Sequence, residues 1–68
     1  MLRKLTSDEI ETLASRKNVR RIAVENFLMS MYDMKYEDSL ANLEMDAVAY
    51  KWNNATISAI RAGIMMAA

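Results

Sequence analysis

The sequence predicts an all-α fold, a compact bundle of four short helices that forms one small domain over residues 1–68. Alanine, leucine, methionine, glutamate, lysine and arginine dominate the composition, and all of them favour helices. The chain has no proline and a single glycine, so nothing marks a linker or a domain boundary. Its apolar residues recur at spacings of three and four, which indicates helices that each bury one face.

The first helix is predicted from about Ser7 to Lys17, and its start is the best marked in the chain. Thr6 stands three residues before Glu9, which is the spacing of a capping box. Leu5 precedes the cap and Ile10 occupies the fourth helical position, so the two residues form a hydrophobic staple.

Asn18 is expected to end this pattern, because asparagine tolerates the left-handed conformation. A second helix then follows from about Val19 or Arg20 to Tyr32, a third spans about Glu37–Lys51, and a fourth spans about Asn54–Met66 with an N-cap from Asn53-Asn54. The residues expected to face the core are Ile10, Leu13 and Ala14, then Val19, Ala23, Val24, Phe27, Leu28 and Met31, then Leu40, Leu43, Ala47 and Tyr50, then Ile57, Ile60 and Ile64.

The seven methionines are an unusual enrichment for so short a chain. At helical spacing they are expected to fill the core, with Met65 and Met66 as the exceptions. Trp52, the single tryptophan, lies at a predicted corner between two helices, where it is expected to anchor the turn.

The absence of cysteine and histidine excludes most active sites and metal centres. An ordinary zinc site, a haem, an iron–sulfur cluster and a Ser–His or Cys–His nucleophile all need one of them. No spacing brings together a base, a nucleophile and an orienting group, so we expect neither an enzyme nor a cofactor. No secretory signal or membrane-length apolar run is visible either, and no small-molecule ligand is implied. The sequence therefore predicts a cytoplasmic protein without membrane contact.

Charge is unevenly distributed along a chain whose formal net charge is zero. Residues 1–21 hold six basic and three acidic side chains, whereas residues 22–68 hold three basic and six acidic ones. The basic side chains are concentrated at Arg16, Lys17, Arg20 and Arg21, which lie around the first predicted turn.

A weak internal repeat relates residues 9–28 to residues 42–61 at an offset of 33. Each half holds a small residue, a turn residue four positions later, an apolar residue directly after it, and two more apolar residues. The equivalent pairs are Ala14 and Ala47, Asn18 and Lys51, Val19 and Trp52, Val24 and Ile57, and Phe27 and Ile60. Asn18 replaces the usual glycine of such a turn, and Lys51 departs from it because lysine is strained in the left-handed region.

This spacing, over residues 9–28 and 42–63, resembles the helix-turn-helix of DNA-binding domains. Residues 53–63 are also similar to the recognition helix of phage-repressor-like domains. The resemblance implies contact with double-stranded DNA, in which arginines bind phosphates or guanine and asparagines read adenine. The candidate nucleic-acid-binding residues are Arg16, Lys17, Arg20, Arg21, Asn53, Asn54 and Arg61.

Other functions remain open at the level of sequence. A homodimer would use a methionine-rich C-terminal face that includes Met45, Val48, Met65 and Met66. The main alternative to DNA binding is a neutral helical module that docks a partner protein through this face. A further alternative is an inhibitor that mimics nucleic-acid charge with Glu37, Asp38, Glu44 and Asp46.

Overall fold

The computed structural model describes all 68 residues, which fold into four α-helices without any strand. The helices are α1 (Ser7–Ala14), α2 (Arg21–Ser30), α3 (Tyr36–Ala49) and α4 (Asn54–Ala67). Helix α4 is central and packs against the other three, α1 and α2 pack on each other, and α3 packs closely on α4 alone. The predicted all-α bundle of four short helices is therefore confirmed. None of the four is both long and apolar enough to cross a bilayer.

Helix α1 ends three residues earlier than predicted, because Ser15 already acts as its C-cap. Arg16 and Lys17 consequently lie in the turn that follows and not in the last turn of the helix. The other helix bounds differ from the predicted ones by at most two residues.

The core is one apolar cluster to which all four helices and the N-terminal segment contribute. Its buried members are Leu2, Leu5, Ile10, Leu13, Ala14, Val24, Phe27, Leu28, Met31, Leu43, Ala59, Ile60, Ile64 and Ala67. The predicted inward faces of α1 and α2 are confirmed, whereas on α3 the prediction for Tyr50 is wrong, since this residue is 62% exposed. Ser39 is fully buried on α3, and its hydroxyl donates to the carbonyl oxygen of Tyr36 at 2.7 Å.

The prediction that the methionines fill the core is wrong for most of them. Only Met31 is fully buried and Met34 is half-buried. Met1, Met29 and Met45 are exposed against the prediction, and Met65 and Met66 are exposed as predicted. A 68-residue bundle has little interior, and leucine, isoleucine and alanine already fill it.

The predicted capping box at the start of α1 is present and is extended by an arginine. The Thr6 hydroxyl accepts from the Glu9 N–H at 3.1 Å, and the Glu9 carboxylate accepts from the Thr6 N–H at 2.8 Å. The guanidinium of Arg3 donates two further hydrogen bonds to this carboxylate, at 3.0 and 2.8 Å. These bonds, first those of Arg3 and then that of Thr6, lower the pKa of Glu9 from 4.5 to about 2.

Glu9 should therefore stabilise the fold in a pH-dependent way. Because the folded-state pKa is the lower one, its contribution is full above pH 4.5 and is lost as the pH falls towards 2. We expect Glu9→Gln to lower stability at neutral pH and to flatten the loss of stability over this acid range. Unfolding by urea at a series of pH values measures both effects, with Glu44→Gln as a control that removes an exposed carboxylate without an ion pair. Equal acid sensitivity of the Glu9→Gln variant and the wild type would contradict this account.

Candidate nucleic-acid interface

Both helical hairpins turn at a residue in the left-handed conformation. Asn18, between α1 and α2, has a φ of 65°, and Lys51, between α3 and α4, has a φ of 55°. At the second turn, the N–H groups of Lys51 and Trp52 donate to the carbonyl oxygens of Val48 and Ala47, at 3.3 and 3.0 Å. This is the Schellman arrangement that ends many helices. The sequence therefore located both left-handed positions correctly.

The two turns lie side by side and are joined by hydrogen bonds. The side-chain amide of Asn53 donates to the carbonyl oxygen of Asn18 at 2.8 Å. The backbone N–H of Arg20 donates to the fully buried hydroxyl of Thr56 at 2.9 Å. The Arg20 guanidinium also donates to the carbonyl oxygen of Tyr50 at 3.3 Å. Segments that are more than 30 residues apart in sequence therefore form one surface.

We call this the paired-turn surface and define it as residues 15–20 and 50–54. It contains no aspartate or glutamate. Its four exposed basic residues are Arg16, Lys17, Arg20 and Lys51. None of them forms an ion pair, so the surface presents four positive charges that no carboxylate in contact offsets. Three of the four were candidates from sequence.

Arg21 directly follows this surface in sequence, but unlike the four exposed basic residues it forms ion pairs. Its guanidinium donates to both carboxylate oxygens of Glu11, at 3.0 Å for the Nη2–Oε2 pair, and lies 3.5 Å from the Glu25 carboxylate. Contact with Glu11 raises the pKa of Arg21, and the same contact lowers the pKa of Glu11. Two carboxylates thus offset the charge of Arg21, which links α1 to α2 and is not among the free cations.

Of the candidate nucleic-acid-binding residues in the second half, Asn53 is hydrogen-bonded within the fold, whereas Asn54 and Arg61 are not. Asn53 caps α4 through its side-chain oxygen, which accepts from the Thr56 N–H at 3.1 Å, while its side-chain N–H donates to the carbonyl oxygen of Asn18 in the first turn. Asn54 and Arg61 are exposed, and Ser58 lies between them at helical spacing. These three side chains form a polar row about 10 Å long on the outside of α4.

Helix α2 offers a less suitable surface to nucleic acid. Its outer face exposes Ile22, Asn26 and Met29, and Glu25 borders it. An apolar and partly acidic face of this kind is poorly matched to phosphates or base edges. The outside of α4 is thus the more polar of the two helix surfaces, whereas the basic residues in the sequence point to the start of α2.

The sequence did not reveal the roles of two residues, Lys51 within the paired-turn surface and Thr56 beneath it. The Asn53-x-x-Thr56 spacing indicates a helix cap, but no sequence pattern shows that the Thr56 hydroxyl reaches the backbone of α2. Lys51 had been noted only as a poor turn residue. Its charge joins the basic cluster because the second turn packs on the first, and this packing is a tertiary effect.

A groove of about 520 Å³ borders the paired-turn surface, with which it shares Arg20, Tyr50 and Trp52, and opens between α2 and α3, two helices that do not pack on each other. The ring of Trp52 meets that of Phe27 edge-on, with centroids 6.2 Å apart, and stacks on that of Tyr50 at 5.7 Å. Asp46 and Arg20 lie among the polar residues that line the groove. The predicted role of Trp52 as an anchor is consistent with these ring contacts.

The proposed methionine-rich face is divided into two parts. The sulfur of Met65 accepts from the hydroxyl of Tyr36 at 3.2 Å. Tyr36 lies about 180° around the α3 axis from Met45, as nine residues at 100° each require. Met65 is therefore on the opposite side of α3 from Met45 and about 120° around the axis from Val48.

No group of three or more acidic side chains is placed to hold a metal ion. No family model, curated protein or solved structure matches this chain. The fold and the surface together define a small all-α protein with one basic, acid-free surface built from two turns.

Proposed function

We propose that this protein is a small DNA-binding domain that binds double-stranded DNA through the paired-turn surface. The observation that carries the proposal is the hydrogen bond between Asn53 and Asn18, which joins two basic segments into one surface. Cations without a carboxylate partner bind phosphates by releasing condensed counterions, and this supplies most of the affinity of non-specific binding. The overall neutrality of the chain does not oppose this, because the local charge at the surface governs contact with phosphates.

In this proposal the four cations position the protein and α4 reads the DNA. Phosphate contacts at both turns would direct the N-terminal end of α4 to the duplex, where the positive end of its dipole also favours phosphate. Asn54 can pair with adenine and Arg61 with guanine in the major groove. Both side chains are exposed on the same face of α4, and neither is engaged elsewhere in the fold.

The geometry of the turns supports an interpretation as two hairpins of the helix-turn-helix kind. The left-handed residues occupy equivalent places at the offset of 33, and Ala14 is buried where a small residue lets two helices cross closely. A cytoplasmic regulatory role belongs to the same proposal. Homodimerisation stays a prediction, and a second copy would double the number of phosphate-binding cations.

Salt dependence tests the proposal on the wild-type protein. Four phosphate contacts give a slope of log affinity against log salt of about −3.6, so that binding should weaken by about 150-fold between about 50 and about 200 mM salt. Fluorescence anisotropy of a labelled mixed-sequence duplex measures this slope. No binding at the lower salt, where the electrostatic contribution is largest, would overturn the proposal.

A protein-interaction module is the second candidate function, and the groove between α2 and α3 favours it. The volume and the lining of this groove are those of a site for an apolar ligand or peptide, and Phe27 and Trp52 form its aromatic wall. Binding there would need Phe27 and would be insensitive to Arg16 and Lys17. Removal of the two cations therefore distinguishes the candidates.

Replacing Lys51 with glycine should affect stability and DNA binding in opposite directions. Glycine adopts a φ of 55° without strain, so we expect a gain of about 1 kcal/mol in the free energy of unfolding. The same change removes one cation and should make the salt slope about 0.9 less negative. Asn18→Gly is the control, because it changes the other left-handed residue without changing charge. A Lys51→Gly variant with undiminished affinity and slope would exclude Lys51 from the interface.

A further inference from the structure

The outer face of α3 carries an apolar row that nothing in the fold covers. Ala41, Met45 and Val48 follow each other at spacings of four and three and lie within about 60° of one another around the helix axis. Met45 is 67% exposed and Val48 is 80% exposed. The row faces away from Leu43, through which α3 contributes to the core. An exposed row at this spacing is the seam along which a second helix packs.

Acidic residues border this row along one side and at its N-terminal end. Glu37 and Glu44 lie along the edge next to Val48, and Asp38 lies one heptad before Met45. Helix α3 contains no basic residue, and none of its four carboxylates forms an ion pair. The face is thus an apolar stripe with uncompensated negative charge along one side and at one end.

We propose that this face of α3 docks a basic amphipathic helix of a partner protein. In heptad terms Ala41, Met45 and Val48 take positions d, a and d, Asp38 takes the a position before them, and Glu37 and Glu44 take the flanking g positions. A partner helix with apolar a and d residues and lysine or arginine at its flanks would complement both features. Charge at these flanks sets partner choice in paired helices.

The same charges disfavour the other possible occupants. Antiparallel pairing with a second copy would bring Glu37 of one chain opposite Glu44 of the other, and parallel pairing would bring the two Asp38 side chains together. Phosphates of nucleic acid and of anionic lipids are repelled by these carboxylates. The docking face is separate from the paired-turn surface, so this proposal does not depend on DNA binding.

A synthetic helix supplies the probe. We would titrate the full chain into a fluorescein-labelled peptide of about three heptads, long enough for an isolated helix to form, with leucine at a and d and lysine at e and g. The matched control peptide carries glutamate at e and g. Fluorescence anisotropy at low salt should show binding of the lysine peptide alone, and the affinity should fall as salt is raised.

Paired variants locate the contact on the protein. Met45→Gln with Val48→Ser should weaken binding by at least about tenfold, since it removes the apolar row. Glu37→Gln with Glu44→Gln should weaken it by about three- to tenfold, since it removes the flanking charges. The controls are Met29→Gln, an equally exposed methionine on α2, and Asp8→Asn with Asp33→Asn, two exposed acids outside α3. Far-UV circular dichroism verifies that every variant is folded.

Three results of the peptide titrations would overturn the proposal. They are no binding of the lysine peptide at low salt, equal binding of the glutamate peptide, and undiminished binding by the Met45→Gln/Val48→Ser variant. Sedimentation of the protein alone tests whether a second copy of the chain occupies this face. Self-association of the wild type that the Met45→Gln/Val48→Ser variant abolishes would assign the face to a second copy and overturn the proposal. The Arg16→Ala/Lys17→Ala variant should bind the peptide like the wild type, so failure of the DNA proposal leaves this test intact.

Discussion

Replacing Arg16 and Lys17 with alanine is expected to lower the affinity for mixed-sequence duplex DNA by about 200-fold at about 50 mM salt. Each phosphate contact is worth roughly 15-fold in affinity at that salt through counterion release. The slope of log affinity against log salt should change from about −3.6 to about −1.8. Both side chains are exposed and form no ion pair, so the fold should not change.

The matched control is Lys4→Ala with Lys35→Ala, which removes the same charge from exposed residues outside the paired-turn surface. Lys4 lies over the ring of Tyr32, 5.6 Å from its centroid, and Lys35 precedes α3. We expect this pair to weaken binding by less than about threefold, as screened charges at a distance do. Equal losses in the two double variants would mean that net charge and not the paired-turn surface governs binding.

Leu28→Ala is expected to destabilise the fold by about 2–5 kcal/mol. Leu28 is 1% exposed in the core, and a domain of this size has a total stability of about 3–10 kcal/mol. The thermal midpoint should therefore fall by about 10 °C or more. Met29→Ala, at an exposed position on the same helix, is the control and should change the midpoint little.

A substitution at Gly63 provides a second test of how Leu28 packs against α4. A Cβ atom at Gly63 would lie 2.6 and 2.7 Å from the two terminal carbons of Leu28 and 3.2 Å from a terminal carbon of Leu13. Gly63→Ala should therefore cost about 1–3 kcal/mol in the wild type, partly offset by a gain of about 1 kcal/mol in helix propensity. In the Leu28→Ala background the main clash is gone, so the same change should become stabilising. Urea unfolding of the four proteins measures this coupling, and additive effects would contradict the packing described for α2 and α4.

Local rules explain the features that the sequence predicted well. The capping box of Thr6 and Glu9, the Asn53 cap and the left-handed turn at Asn18 each depend on a few neighbouring residues. The helix count follows from the spacing of apolar residues, and the buried faces of α1 and α2 are the predicted ones. Such features are readable because no distant segment is needed to form them.

The features that the sequence did not predict depend on packing between distant segments. Arg21 is engaged because Glu11 on the neighbouring helix reaches it, and Lys51 joins the basic cluster because its turn packs on the first one. Most of the methionines that were expected in the core are exposed, because leucine, isoleucine and alanine already fill the small interior. The exposure of Asn54 and Arg61 on α4, which led us to propose that α4 and not α2 reads DNA, also depends on how the helices pack.

The central claim is that DNA contacts one surface built from both turns, and the most direct test is to map the contact residue by residue. Amide NMR spectra of isotope-labelled protein would be recorded during titration with a mixed-sequence duplex at low salt. We predict that the largest shift changes fall in residues 15–20 and 50–61, with the first half of α3 unaffected. Changes confined to the first turn, or centred on the groove around Phe27 and Met34, would contradict the account.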